Sequence, residues 1–551
     1  MSRVLLLPSI VLLLLAALCY ALSGGRVLVG AASKDRPVVV CNMDDIKTID
    51  IHRSSWASDI RTQMALWEGL TAYDPADLHP VPGVAQRWEL SPDRTTYTFH
   101  LRHDARWSNG DPVLAKDFLF AWRRLINPAT GADYAELFNV VQGAQEFAAT
   151  LAAKKNADFS TVGVHAPDPY TIVVKLKAPC SYFLDLCAFP PLYPLNENAM
   201  GDAVNRPDDE SWTHPPRLVT NGPFMLAQWR FKQYLELHPN PYYWDRKNVK
   251  TQRLRITAIS DHRAALLAFQ THTVDLLTFV PQSFGEDLVS QNDPAKRALI
   301  HYRPVFGSYY YIINCTRPPL NDRRVRAALN LAIDRRKIVT AVARMGQRPL
   351  GLMVPPDSIP GYKSPDVPPP YDPEKARTLL ADAGFPDGKN FPTLSMVYNT
   401  DEILHSKIAM AMGQMWAREL NVHVTYRGLE RASFNTARRT QDFDIARGGW
   451  YGDYADPTTW LDLARTGNGN NDGLFSDPAF DNLMDAAARQ ADPAKRFADL
   501  AHAEKLICAQ DYPFIMLYQY GDGYIYDANR LHGVWDNVRL MTPLKWIWRS
   551  Q

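Results

Sequence analysis

No C-x-x-C pair and no zinc-spaced grouping of histidines and cysteines occurs in this chain. Zinc ribbons and thioredoxin-type redox sites are thereby set aside. An excess of charge is missing too: 60 Lys and Arg stand against 59 Asp and Glu. Nucleic-acid binders normally carry a basic surplus, so this balance argues against one. The signatures G-x-S-x-G, H-E-x-x-H, G-x-x-x-x-G-K-[ST] and a strand-borne G-x-G-x-x-G are absent. Each would mark a local catalytic or phosphate-binding device. Catalytic groups can be distant in sequence, but these absences lower the expectation of an enzyme, and no cofactor or metal is expected. No repeat of about 20–50 residues is visible, which removes solenoids and propellers.

What is present is a long chain of ordinary globular composition. Its 551 residues correspond to two to four domains at roughly 100–200 residues each. Hydrophobic residues make up 46%, enough for a large core. Aromatics reach 11%, with 14 Trp and 25 Tyr; such rings fill cores or line binding clefts.

The N-terminus carries Arg3 and then the uncharged run Val4–Leu22. This reads as an export signal or a membrane anchor within residues 1–33. Ala21-Leu22-Ser23 offers small residues for cleavage, and "LAALC" ending at Cys19 is close to a lipoprotein box. All three readings place the remainder outside the cytoplasm. Six cysteines occur: Cys19, Cys41, Cys180, Cys187, Cys315 and Cys508. Cys180 and Cys187 can bridge across a bent segment; on one straight helix they would be about 10.5 Å apart, too far for a disulfide. The pairing stays open.

Period-two alternation predicts strands at "TYTFHLR" (Tyr97, Phe99, Leu101), "TIVVKL" (Ile172, Val174, Leu176) and "NVHVTY" (Val422, Val424, Tyr426). Residues 114–125 read as an amphipathic helix. Helical spacing of Val325, Ala328, Leu329, Ala332 and Ile333 predicts a helix over 321–336, capped by Asn321 or Asp322. In "DPEKARTLLADAGF", Asp372 suits the N-cap, Pro373 the first turn and Gly384 the stop. A further helix is expected around 404–418. Strands alternating with helices in this half predict a parallel or mixed α/β domain. The proline-dense 354–373 is a loop or linker.

Several blocks, in order, resemble the periplasmic oligopeptide-binding proteins, the solute receptors of bacterial ABC importers. They are "WEGLTAYDP" through "FLFAWRR" (67–124), "TNGPFML" (220–226), "PYYWD" (241–245), "PPLNDRRVRAALNLAIDRRKIV" (318–339) and "ARGGWYGDYADPTTWL" (446–461). The resemblance implies an α/β, two-lobed clamp with an extra inserted domain. Lobe I would comprise 34–68, 194–277 and 521–551, domain II 69–193, and lobe III 278–520, with two crossing strands joining the lobes.

A receptor for varied peptides must grip what all peptides share, an N-terminal ammonium and a backbone. By the resemblance, Asp453 would bind the ammonium, and the main chain of Gly449, Trp450 and Tyr451 would pair with the peptide as an added β-strand. Gly448 and Gly449 would remove bulk so that a ligand strand can lie close. A turn-forming role is the alternative for Asp453, because Gly452 and Pro457 are near. Ser55, Trp56 and Ala57 would face the peptide from a lobe I strand, and Tyr134 would line the cleft, unless it is a core tyrosine. His405 and Arg438 match positions that read ligand carboxylates, with a solvated surface role as the alternative. Arg447 matches an arginine beside the binding strand, with a structural ion pair as the alternative. Ser55 and Trp56 replace an acidic residue and a glycine of a reference member, and Arg431 stands where an aromatic is common. These departures touch side-chain pockets and leave ligand length and preference open, murein peptides included. The expected partners are an oligopeptide and an inner-membrane ABC permease, with a monomeric receptor in the periplasm. The rivals are an extracytoplasmic hydrolase and an anchored signalling receptor or chaperone.

Overall fold

A computed structural model describes residues 36–206, 209–280 and 294–550. The apolar segment Val4–Leu22 and Cys19 lie outside the described residues. Among the described residues no helix is long and apolar enough to cross a membrane.

One long sheet organises both lobes. In spatial order its strands are Val424–Leu429, Leu394–Asn399, Ile445–Tyr451, Ile300–Ile313, Phe514–Tyr526, Leu276–Leu277, Val38–Asn42, Leu254–Ala258, Tyr234–Pro239 and Phe224–Arg230. The two long central strands run antiparallel and carry the sheet from one lobe into the other. Ile300–Pro304 pairs with Gly521–Ile525, and Ser308–Ile312 pairs with Phe514–Gln519, with a register shift between Pro304 and Ser308. A bulge there bends and twists the ribbon at mid-length.

Strand Ile300–Ile313 has buried side chains on both faces beyond the bulge. Tyr309, Tyr311 and Ile313 join one hydrophobic cluster with Leu329, Met412 and Trp416. Tyr310 and Ile312 join another with Trp460, Phe480 and Leu500. Successive side chains point to opposite faces, so "YYYII" feeds two cores at once. The strands of this half are mixed: Leu394–Asn399 runs parallel to both Val424–Leu429 and Ile445–Tyr451, while Ile445–Tyr451 runs antiparallel to Ile300–Ile313.

A separate four-stranded antiparallel sheet is ordered Ala85–Leu90, Thr96–Leu101, Thr171–Lys175, Val164–Asp168. Its buried Tyr97, Phe99, Leu101, Ile172 and Val174 share a core with Phe118 and Trp122 of helix Ala115–Leu125. The same core includes Val40, Leu237 and Ile256 of the long sheet.

Asp372, Pro373 and Gly384 act as expected: the Asp372 carboxylate accepts from Lys375 N–H at 3.0 Å and opens helix Pro373–Asp382, and Gly384 has φ +100°. The helix expected over 321–336 is instead two pieces. Arg323–Leu331 is capped by Asp322, and Asp334 caps a short turn, Arg335–Lys337. Its side chain competes for a backbone N–H and starts a new segment. The strand expected from Val422 begins at Val424, because Asn421 (φ +54°) closes helix Ile403–Leu420 and Val422 plugs the core. Residues 354–371 form neither helix nor strand. The five described cysteines are free, Cys180 and Cys187 among them.

Candidate ligand-binding site

The strand Ile445–Tyr451 is asymmetric. On one side all seven residues pair with Gly307–Ile313. On the other, only Ile445 and Ala446 pair, with Met396 and Val397. From Arg447 to Tyr451 that side of the backbone has no strand beside it among the described residues. Such an edge is a template for an added strand.

The two glycines have a different cause from the one expected. A Cβ on Gly448 would lie 2.4 Å from the Tyr310 ring, and one on Gly449 would lie 2.2 Å from the Tyr520 hydroxyl and 3.2 Å from Arg447 Nη2. Side chains stand perpendicular to a sheet, whereas an added strand approaches in its plane. The chain's own rings, stacked against both faces, therefore demand the glycines. Gly449 also leaves room for the Arg447 guanidinium to fold back along the strand.

Asp453 lies two residues past the end of the strand, after Gly452. Its N–H donates to the Thr459 hydroxyl at 3.1 Å, and the Trp450 indole N–H reaches the same oxygen at 3.3 Å. Thr459 is thus a shared anchor for both. Burial, and then the neighbouring Glu136 carboxylate, push the Asp453 carboxyl up to about 6. No cation lies within ion-pair distance of Asp453 among the described residues. Tyr134 is close enough to Asp453 that the carboxylate, after burial, raises its hydroxyl pKa. Its ring packs edge-on to Phe189 at 5.2 Å. Tyr451 is 55% exposed and stacks on Tyr520 at 4.8 Å.

At the other end sits Arg447. Its Nη2 donates to the Tyr520 hydroxyl at 2.7 Å, its guanidinium lies 4.9 Å from the Tyr309 ring centroid, and its buried Nε has no partner. No carboxylate pairs with it among the described residues, so the structural ion pair weighed for it is not formed. It lines a pocket with His405, Arg438, Arg431, Asp401 and Glu402. His405 is 4% exposed, which removes the solvated-surface reading, and its Nδ1 lies 3.1 Å from the Tyr309 hydroxyl. Burial, reinforced by Arg447, pushes its pKa down to about 3, so the ring is neutral at physiological pH. Arg438 donates through Nε to Asp472 at 2.7 Å, and Arg431 to Asp401 at 2.7 Å. Among the described residues Arg447 is therefore the guanidinium of this pocket with no direct carboxylate partner, and the Glu402 carboxylate lines the same pocket without pairing with it.

Ser55, Trp56 and Ala57 form no sheet ladder. Trp56 is extended (φ −86°, ψ 136°) as N-cap of helix Ala57–Leu66, so the expected lobe I strand is a helix start. The Ser55 hydroxyl donates to Asp133 at 3.0 Å. The Trp56 ring, 41% exposed, lies under Lys47 Nζ at 3.7 Å.

Residues 79–472 match the model for bacterial extracellular solute-binding proteins, family 5. The chain belongs to this family. Among curated relatives, the periplasmic oligopeptide-binding protein OppA of Salmonella typhimurium is 32% identical, over 91% of this chain and 90% of OppA. The periplasmic murein peptide-binding protein MppA of Escherichia coli is 31% identical over 87% of each. Among solved structures, the unliganded open form of MppA has a TM-score of 0.78 at 28% identity, covering 94% of this chain and 98% of MppA. An oligopeptide-binding protein of Borrelia burgdorferi has a TM-score of 0.75 at 26% identity, covering 93% and 99%. The solute-binding protein described here thus shares their two-lobed fold. Sequence reading missed Thr459, Glu136 and Tyr520. Tyr520 lies in "YGDGY", whose only local signal was a carboxylate.

Proposed function

We propose that this solute-binding protein captures short peptides outside the cytoplasm and delivers them to an inner-membrane ABC permease. One observation carries this reading. Among the described residues Asp453 forms no direct ion pair with a cation and Arg447 none with a carboxylate, and the two flank a strand edge with no strand beside it. A zwitterionic, extended polyamide supplies both missing charges and the missing strand. Asp453 takes the ammonium, in a charge-assisted bond of about 1.5–3 kcal/mol. The Gly449–Tyr451 main chain pairs with the peptide backbone, and Arg447, in the pocket shared with His405 and Arg438, takes the carboxylate. From Gly449, beside which the guanidinium folds, to Asp453 is four residues, at most about 13 Å, so the ligand is short. Side chains project away from these shared contacts, which is how one site tolerates many sequences. The likeness to MppA makes a murein peptide the second reading.

Mass spectrometry of ligands retained by the native protein decides between the two. Calorimetry then compares one retained peptide with its N-acetylated form. Acetylation is expected to weaken binding at least tenfold, and equal affinity would reject the role of Asp453.

A further inference from the structure

The loop that carries Asp453 is fastened, on its far side, to the other half of the molecule. Three consecutive residues make the contact. Tyr454 stacks on Tyr182 with ring centroids 4.0 Å apart and planes 14° from parallel. Ala455 N–H donates to Asp185 Oδ2 at 3.0 Å. Asp456 Oδ2 accepts from the Ser181 hydroxyl at 2.9 Å. Ser181, Tyr182 and Asp185 belong to the segment that follows the four-stranded sheet, and Phe183 and Leu186 beside them sit in that sheet's core. Tyr454 sits in the same core, although Trp450 and Trp460 on either side of it pack into the opposite one. The loop therefore sends one ring across the boundary between two separately packed bodies.

The charges at this contact are balanced within each body. Asp456 is held by two hydrogen bonds from the Arg496 guanidinium, at 2.6 and 2.9 Å, on its own side. Asp185 Oδ2 is held by Arg539 Nη2 at 2.9 Å on the other. If the halves part, both ion pairs survive. At this contact what is lost is one ring stack and three hydrogen bonds, the third from Arg496 Nη1 to the Ser181 hydroxyl at 3.2 Å, and no buried charge is stranded. A permanent weld would gain from ion pairs across the boundary; a joint that must open repeatedly is better built this way. The bulge between Pro304 and Ser308 in the ribbon joining the halves gives it somewhere to bend.

We infer that Tyr454, Ala455 and Asp456 form a closure latch: positioning residues that hold the Asp453 carboxylate in place when the lobes close, through contacts that never touch ligand. Binding and closure are coupled because both act on one loop. This rests on the peptide reading only for what Asp453 binds.

The test uses the full chain, with Tyr454→Ala and the conservative Tyr454→Phe. Small-angle X-ray scattering on ligand-free protein reads the open fraction, and stopped-flow with trialanine as probe reads association and release separately. Loss of the stack is expected to expand the ligand-free protein and speed trialanine release about three- to tenfold, with association nearly unchanged. Tyr454→Phe, which keeps the ring, restores both. Ser181→Ala moves both readouts in the same direction by less. Unchanged scattering and release in Tyr454→Ala would overturn the latch, as would failure of Tyr454→Phe to rescue. If wild type does not bind trialanine, the peptide reading suffers, while the ligand-free scattering still decides the latch.

Discussion

Asp453 and Asp456 stand three residues apart in one loop and are surrounded in opposite ways. Asp456 is fully buried and gripped by both terminal nitrogens of Arg496. Asp453 is half-buried with no direct ion-pair partner among the described residues; burial and the Glu136 carboxylate hold it up near 6, with Arg539 only partly offsetting them. The same contrast separates Arg496 from Arg447, which is half-buried among tyrosines and pairs with no carboxylate among the described residues. Charges that serve the fold come with their partners inside the chain. Charges left incomplete in a cleft mark where something else must bind.

Removing the structural partner should have the largest effect. Arg496→Ala leaves Asp456 buried and uncompensated and is expected to cost about 3–5 kcal/mol of stability in denaturant unfolding. A loss below about 1 kcal/mol would place Asp456 with the ligand-facing charges and undo the comparison.

Asp453→Asn should act the other way on the free protein. Burial lifts this carboxyl above the ~3.9 of an unfolded chain, so its protonated form stabilises the ligand-free fold in acid. That contribution is lost as pH rises through about 6. The amide avoids the charged state, so the ligand-free variant is expected to gain on the order of 1–3 kcal/mol at pH 7. Its affinity for a free peptide should fall about 10- to 100-fold. In wild type, affinity should drop as pH falls through 6, because the ammonium needs the ionised carboxylate, and calorimetry should detect proton release near that pH. A variant that is destabilised, or a flat pH profile, would refute the account of this site.

Arg447→Met should have the smallest effect, since its pocket is polar and water can replace part of the contact. The expected change is in discrimination: wild type prefers a free C-terminal carboxylate to its amide by about tenfold, and the variant does not. Equal preference in wild type would move the carboxylate contact elsewhere.

Much of the framework is local and was legible. Tyr97, Phe99 and Leu101 alternate because one face of their sheet is covered. Asp372 and Gly384 bound a helix because each satisfies end groups within a few residues. Local reading failed where two local signals competed, as at Ile333-Asp334, where apolar spacing continues the helix but the carboxylate caps a new one. At Ser55–Ala57 it was the family resemblance, not local reading, that implied a strand, and the start of a helix stands there. The glycine pair shows a third kind of failure. Gly448 and Gly449 were legible as bare backbone, but the rings that require it belong to Tyr310 and Tyr520, far along the chain.

By itself the sequence determined the elements, their caps and a stretch at 446–457 dense in glycine, rings and carboxylates. Those follow from interactions a few residues long. Whether each charge in that stretch has a partner was decided only by tertiary structure. Arg496 lies 40 residues from Asp456, Tyr520 lies 73 from Arg447, and Asp185 lies 270 from Ala455. A carboxylate's neighbours in space, not in sequence, set whether it is finished or still open to a ligand.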